Sequence, residues 1–175
     1  MTLLRHLATI LLLPGTVTII IPSLILNSMH TANLGGSWPA PVNLIPITLG
    51  LLFIALGLSL LYQTIKFFAT LGQGTLAPWD PTQKLVVRGI YRHVRNPMIS
   101  GVFCILLGEA VLFSALPLLY WFLICVVINA VYIPLLEEPG LERRFGSDYL
   151  LYKQNVPRWI PRRTPWNAPS PEAFK

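Results

Sequence analysis

Charge is scarce in this chain. Only 11% of its 175 residues are Asp, Glu, Lys or Arg, about half of what soluble domains carry. Acids are scarcer than bases, seven against thirteen, so the formal net charge is +6. Cysteine is also sparse. Cys104 and Cys125 both fall inside apolar runs, which predicts packing residues and argues against a disulfide framework or a zinc site. Nothing else in the sequence calls for a metal. No basic groove interleaved with aromatics is visible, so nucleic acid is not an expected partner. The first apolar run is long for a signal peptide and no Ala-x-Ala-type cleavage site follows it, so it reads as a helix.

What the chain has in quantity is apolar sequence. Hydrophobic residues make up 54% and the mean hydropathy is +0.61, which predicts an integral multi-pass membrane protein lying in a lipid bilayer. Residues 7–26 form a run of about 20, enough to span, with breaks at Pro14 and Pro22 of the kind that membrane helices tolerate. Residues 27–43 carry Gly35, Gly36, Pro39 and Pro41 and no Lys or Arg. They read as a non-cytoplasmic loop with Trp38 at the interface. Residues 44–65 are the second span. Gly50 and Gly57 share one helix face, and Gly101 and Gly108 repeat that spacing, which predicts two helices packed closely on small residues.

The stretch 66–95 holds Lys66, Lys84, Arg88, Arg92 and Arg95 against one acid, Asp80. It reads as cytoplasmic by the positive-inside rule, with Leu85-Val86-Val87 resting on the membrane face. Residues 98–136 are apolar apart from Ser114-Ala115-Leu116-Pro117, so spans 98–116 and 118–136 form a tight hairpin. Two polar side chains, Glu109 and Asn129, fall within it. Glu109 lies near the turn and reads as snorkelling to the far surface. After Glu137, Leu141, Phe145, Tyr149 and Tyr152 recur at helical spacing, an interfacial amphipathic helix with a break near Gly146. The end, from Val156, is rich in Pro, Arg and Trp without a helical pattern. The fold class is thus an all-α membrane protein: one domain over 1–175, about four transmembrane helices, a C-terminal amphipathic helix and tail, and both termini cytoplasmic.

Candidate chemistry gathers in two places. The strip 89–101 carries Arg92, His93 and Arg95 in front of Asn96 and Pro97, which suit a helix cap and first turn. The N-terminus of a helix is a natural anion site. Helix hairpin geometry then sets Glu137-Glu138 about 10 Å away. Salt bridging between these acids and the arginines is the plain reading of that pattern. A pocket for a doubly charged ligand beside a greasy co-substrate is the sharper one.

Gly89-Ile-Tyr-Arg-His-Val-Arg-Asn-Pro-Met-Ile-Ser-Gly101 resembles the G-x-Y-R-x-x-R-H-P-x-Y-x-G motif of the isoprenylcysteine carboxyl methyltransferase family and its phospholipid methyltransferase relatives. Glu137-Glu138, Leu141, Phe145-Gly146, Tyr149, Tyr152 and Val156-Pro157-Arg158 through Pro161 resemble the same family's tail. The likeness spans residues 85–161. It implies an integral membrane enzyme that uses S-adenosylmethionine, enclosed by segments 85–97 and 137–161, and a lipophilic small-molecule or lipid substrate arriving from the bilayer, for example an isoprenoid-type carboxylate. By position it implies that Tyr91, Arg95, Asn96, Pro97 and Gly101 line the cofactor pocket, that Glu137 and Glu138 hold polar groups, and that Tyr149 and Tyr152 close it. Two positions depart from the motif: Asn96 stands for histidine and Ile99 for tyrosine, with His93 placed to substitute in part. For a carboxylate acceptor, Arg95 or Arg158 would orient it; for a thiol, amine or hydroxyl, Glu138 or Asp148 would take the proton. Two other functions fit the outline: a nicotinamide-dependent sterol-reductase-type enzyme and a non-catalytic membrane scaffold.

Overall fold

The computed structural model describes residues 11–29, 34–68, 70 and 85–167, and the described residues form helices and connecting turns without a strand. Residues 7–10 of the first span, residues 71–84 of the basic loop and the last residues, 168–175, lie outside them. Helix α1 winds through wide π-type turns over Leu11–Ile20 and continues as a regular helix over Ile21–Met29. Pro14 lies inside the wide part. Its carbonyl accepts a 2.7 Å bond from the Thr18 hydroxyl one turn further on, a side-chain bond back onto the helix. Helix α2 is Leu44–Phe67, 24 residues, or about 36 Å at the helical rise.

Helix α3, Pro97–Leu112, and helix α4, Leu116–Tyr132, form the expected hairpin. Its turn falls at 113–115, with Ser114 at φ 47°. Helix α3 is shorter than the sequence implied: its 16 residues extend about 24 Å, less than the roughly 30 Å of a bilayer's apolar core. Two helical stretches are long and apolar enough to cross a membrane, Leu44–Phe67 and the one opening at Leu116. Large apolar side chains such as Leu52, Leu58, Val127 and Val131 stand more than half exposed on their outer faces, as lipid-facing helices present them.

The glycine faces meet. A Cβ built on Gly57 would lie 2.5 Å from the Gly101 carbonyl oxygen, and one on Gly108 would lie 2.8 Å from the Gly50 carbonyl oxygen. No side chain fits there, so α2 and α3 touch backbone to backbone. Around this contact Leu61, Val102, Ile105, Leu106 and Cys125 form the core, with Cys125 in the packing role its apolar setting predicted.

Wide turns over Ile133–Glu137 lead from α4 into α5, Glu138–Asn155. Helix α5 is two segments joined at Gly146, whose φ 54°, ψ −130° is open only to glycine. In a straight helix Glu142 and Lys153 would be about 16 Å apart along the axis. Instead Lys153 Nζ is 2.5 Å from Glu142 Oε1, so the chain folds back at Gly146. The tail then runs antiparallel to the arginine strip. Arg95 N donates to Pro157 O at 2.9 Å, Arg162 N to His93 O at 3.0 Å and Trp166 N to Arg92 O at 2.9 Å. A second cluster of Tyr149, Tyr152, Val156 and Trp166 seals this layer, and Leu85 and Val87 pack on it. The 85–87 patch is therefore part of the protein's own packing rather than a membrane rest, and Val86 is buried.

Candidate functional site

One carboxylate organises the polar layer. Glu138 is 2% exposed and receives Arg95 Nη1 at 3.0 Å, Arg158 Nε at 2.6 Å and Lys153 Nζ at 3.3 Å. Arg158 is bidentate, its Nη2 donating to the second oxygen at 3.0 Å, the geometry that suits a planar guanidinium. Burial pushes the Glu138 carboxyl up, but the Arg158 hydrogen bond and the charges of Arg95 and Arg158 outweigh it, and the group sits below its ordinary range. Lys153 and Arg158 reach Glu138 only because α5 reverses at Gly146 and the tail returns beneath it. The sequence reading missed Lys153 for that reason: linear spacing gives no sign of it.

Above this ion cluster lies a cavity of about 670 Å³. Its polar end is walled by Tyr91, Arg95, Asn96, Glu137, Tyr149 and Tyr152. Its other arm runs between α1, α3 and α4, past Val17, Ile99, Val102, Trp121 and Cys125. Arg95 is held from both sides: its side chain is 8% exposed, its Nη1 also reaches the Tyr149 hydroxyl at 3.4 Å, and its Nε is buried without a partner. The N-terminus of α3 opens beside it. Pro97 takes the first-turn position as expected, but Asn96 does not cap with its side chain. Its Nδ2 points instead toward Arg158 O at 3.5 Å, leaving the helix end to whatever occupies the cavity.

Glu137 contrasts with its neighbour. No hydrogen bond or ion pair reaches it among the described residues, and burial, reinforced by the charge of Glu138, pushes its carboxyl up. Two adjacent acids thus differ in kind: one is ionised and saturated behind the wall, the other faces the cavity with no ion pair among the described residues. Burial likewise raises the hydroxyls of Tyr91, Tyr149 and Tyr152. The Tyr152 hydroxyl donates to Tyr91 O at 2.7 Å, which fixes the strip against α5.

Of the twelve residues to which the sequence assigns a catalytic or cofactor-binding role, six therefore share the cavity wall: Tyr91, Arg95, Asn96, Glu137, Tyr149 and Tyr152. The others are placed elsewhere. Gly101 packs on Gly57 of α2. Pro97 is buried in the first turn of α3. His93 Nδ1 pairs with Arg162 O at 2.8 Å, so it binds the tail, and it is off the cavity wall. Glu138, Arg158 and Asp148 are off the wall. Glu138 is already held by three cations, which disfavours proton uptake by its carboxyl. Phe68 and Arg144 line the cavity without having been anticipated. Phe68 stacks on Tyr91 at 5.7 Å.

A family model for phospholipid methyltransferases matches residues 45–148, more than half of the chain. The chain belongs to the phospholipid methyltransferase family. This agrees with the likeness read from the 89–101 and 137–161 motifs. As a family member it is a membrane methyltransferase. Comparison with curated proteins and with solved structures gives no match.

Proposed function

We propose that this methyltransferase uses S-adenosylmethionine and methylates a lipophilic acceptor that occupies the apolar arm of the cavity. The observation that carries the reading is one cavity walled by charges of both signs, Glu137 with Arg95 and Arg144, and by apolar helix residues. The cofactor brings two cations, a sulfonium and an ammonium, and one carboxylate. Glu137 offers a carboxyl with no ion pair among the described residues, while Arg95 Nε and the open N-terminus of α3 offer donors. Tyr91, Asn96, Tyr149 and Tyr152 would complete the pocket. When bound, the cofactor supplies an electrophilic methyl group, and the protein's work is to position the acceptor and manage charge. Arg95 is fixed for that purpose by Glu138 and Tyr149. The bilayer would hold the apolar helices, with the arginine strip and tail on the cytoplasmic side.

Binding of S-adenosylhomocysteine to the purified, detergent-solubilised protein tests this by calorimetry. Micromolar binding is expected, with NADPH as the silent control. Arg95→Ala should weaken it by a hundredfold or so, the loss of a buried charge-assisted bond. A well-folded protein that gives no heat with the nucleoside, or that prefers NADPH, would refute the assignment.

Glu137 gives the site a pH dependence. Its carboxyl must ionise to hold a cation, and its folded value lies above the ordinary 4.5. Affinity for S-adenosylhomocysteine, whose ammonium stays charged, is therefore expected to fall as pH drops through that raised value. In Glu137→Gln the affinity should be weaker and flat over the same interval. Parallel titration curves for the two proteins would place the cation elsewhere.

A further inference from the structure

Asn129 has no part in the site as described, yet it sits at membrane depth. It is the one amide in α4, Leu116–Tyr132, a helix otherwise built of apolar, aromatic and small residues. Polar side chains are costly in such helices and usually act as inter-helix glue or line a functional cavity. The glue reading fails here. Asn129 Nδ2 donates to Cys125 O at 2.8 Å, four residues back in its own helix, and among the described residues Asn129 makes no bond to another helix. The Oδ1 carbonyl accepts nothing among the described residues. Asn129 lines the cavity together with Cys125 one turn deeper and Tyr132 one turn shallower. Ile128 and Tyr132 line the same wall and are 56% and 44% exposed, so the arm is open to its surroundings at this level. Glu137 is eight residues along, about 12 Å by helical rise, which puts Asn129 in the acceptor arm and away from the charged end.

We infer that Asn129 selects the acceptor: its Oδ1 accepts a hydrogen bond from a hydroxyl or N–H group on the lipophilic molecule that fills the arm. This rests on the reading of that arm as the acceptor site. The arm should then discriminate between two molecules of equal length and apolarity, one with a donor and one with an acceptor only. A hydroxyl met in a dry cavity gains a bond that an ether cannot make, and the ether leaves the carbonyl unpaired.

Cys125 supplies a readout independent of methyl transfer. In full-length protein carrying Cys104→Ser it is the sole thiol, since the chain has two cysteines. The rate of its modification by methyl methanethiosulfonate, small and uncharged, is followed by intact mass in detergent. Protection is then titrated with 1-dodecanol and with dodecyl methyl ether. The alcohol is expected to protect at about five- to tenfold lower concentration, the value of one hydrogen bond. Asn129→Leu should abolish that preference while keeping protection by the ether. Because the Asn129 bond lies within one helix, the variant should fold, and Asn129→Ser serves as a smaller second substitution. Equal protection by both probes in the Asn129 protein overturns the inference. So does a preference that survives both substitutions, which would put the reader of the hydroxyl elsewhere, and so does an unreactive Cys125, which would close the arm to small lipophiles. If S-adenosylhomocysteine binds while the alcohol preference is absent, this inference alone falls. If neither is seen, the functional reading falls with it.

Discussion

Glu138→Ala is expected to destabilise the protein by about 3 kcal/mol, in the range seen when one partner of a buried ion pair is removed. The figure is set at the low end because Lys153 and Arg158 are about one third exposed and water can screen them. Arg95 cannot be relieved in that way, with a side chain only 8% exposed. The loss should appear as a drop of roughly 6–12 °C in the unfolding midpoint for a chain of this size, followed by intrinsic fluorescence in detergent. Binding of S-adenosylhomocysteine should fail as well, because Arg95 loses its anchor. Glu138→Asp, which keeps the charge, should recover part of both. The contribution also has a pH signature. The folded carboxyl is held below its ordinary 4.5, so its stabilisation is complete above that value and disappears as pH falls through the lower folded one. Wild type should lose stability on acidification over that interval, and the alanine variant should lose less. A variant as stable as wild type, or one that still binds the nucleoside, would show that the ion cluster is incidental.

Gly57→Leu should be more damaging still. A single Cβ there meets the Gly101 carbonyl at 2.5 Å and Ile105 Cγ1 at 2.6 Å, both inside van der Waals contact. Backbone cannot step aside as a flexible side chain can, so α2 and α3 must separate. Gly57→Ala is expected to cost about 2–3 kcal/mol, toward the upper end of overpacking, and Gly57→Leu to yield aggregated material on size-exclusion chromatography. Gly140→Ala is the control. Nothing lies within 4 Å of a Cβ built there, and alanine favours the helix, so its midpoint should hold or rise slightly. If Gly57→Leu ran as a monodisperse peak with an unchanged midpoint, the close approach of the two helices would not be needed for the fold.

Much of the architecture follows from local rules. Apolar runs gave the helices, Ser114 to Pro117 gave the hairpin turn, and Gly146 gave the break in α5. The paired glycine faces were readable because a seven-residue spacing keeps both on one side of a helix. The site was partly readable. Six of the residues given a site role reach the cavity wall, and they came from two short motifs that share one end of a hairpin. Three that lie off the wall share a cause. Gly101, Pro97 and His93 belong to the same short motif, but a motif does not say which of its members face inward. Helix rotation turned Gly101 to α2, and the returning tail captured His93.

Sequence by itself determined the helical class, the glycine contact between α2 and α3, and the nearness of the arginine strip to the paired acids. These depend on periodicity and on a short connection, both local properties of the chain. Only tertiary structure decided that Glu137 faces the cavity while Glu138 lies behind it. That choice is made by Lys153 and Arg158, 15 and 20 residues further on, which approach because the chain reverses at Gly146 and the tail pairs with residues 92–95. Two identical side chains in adjacent positions acquire opposite environments from groups that no spacing rule connects to them.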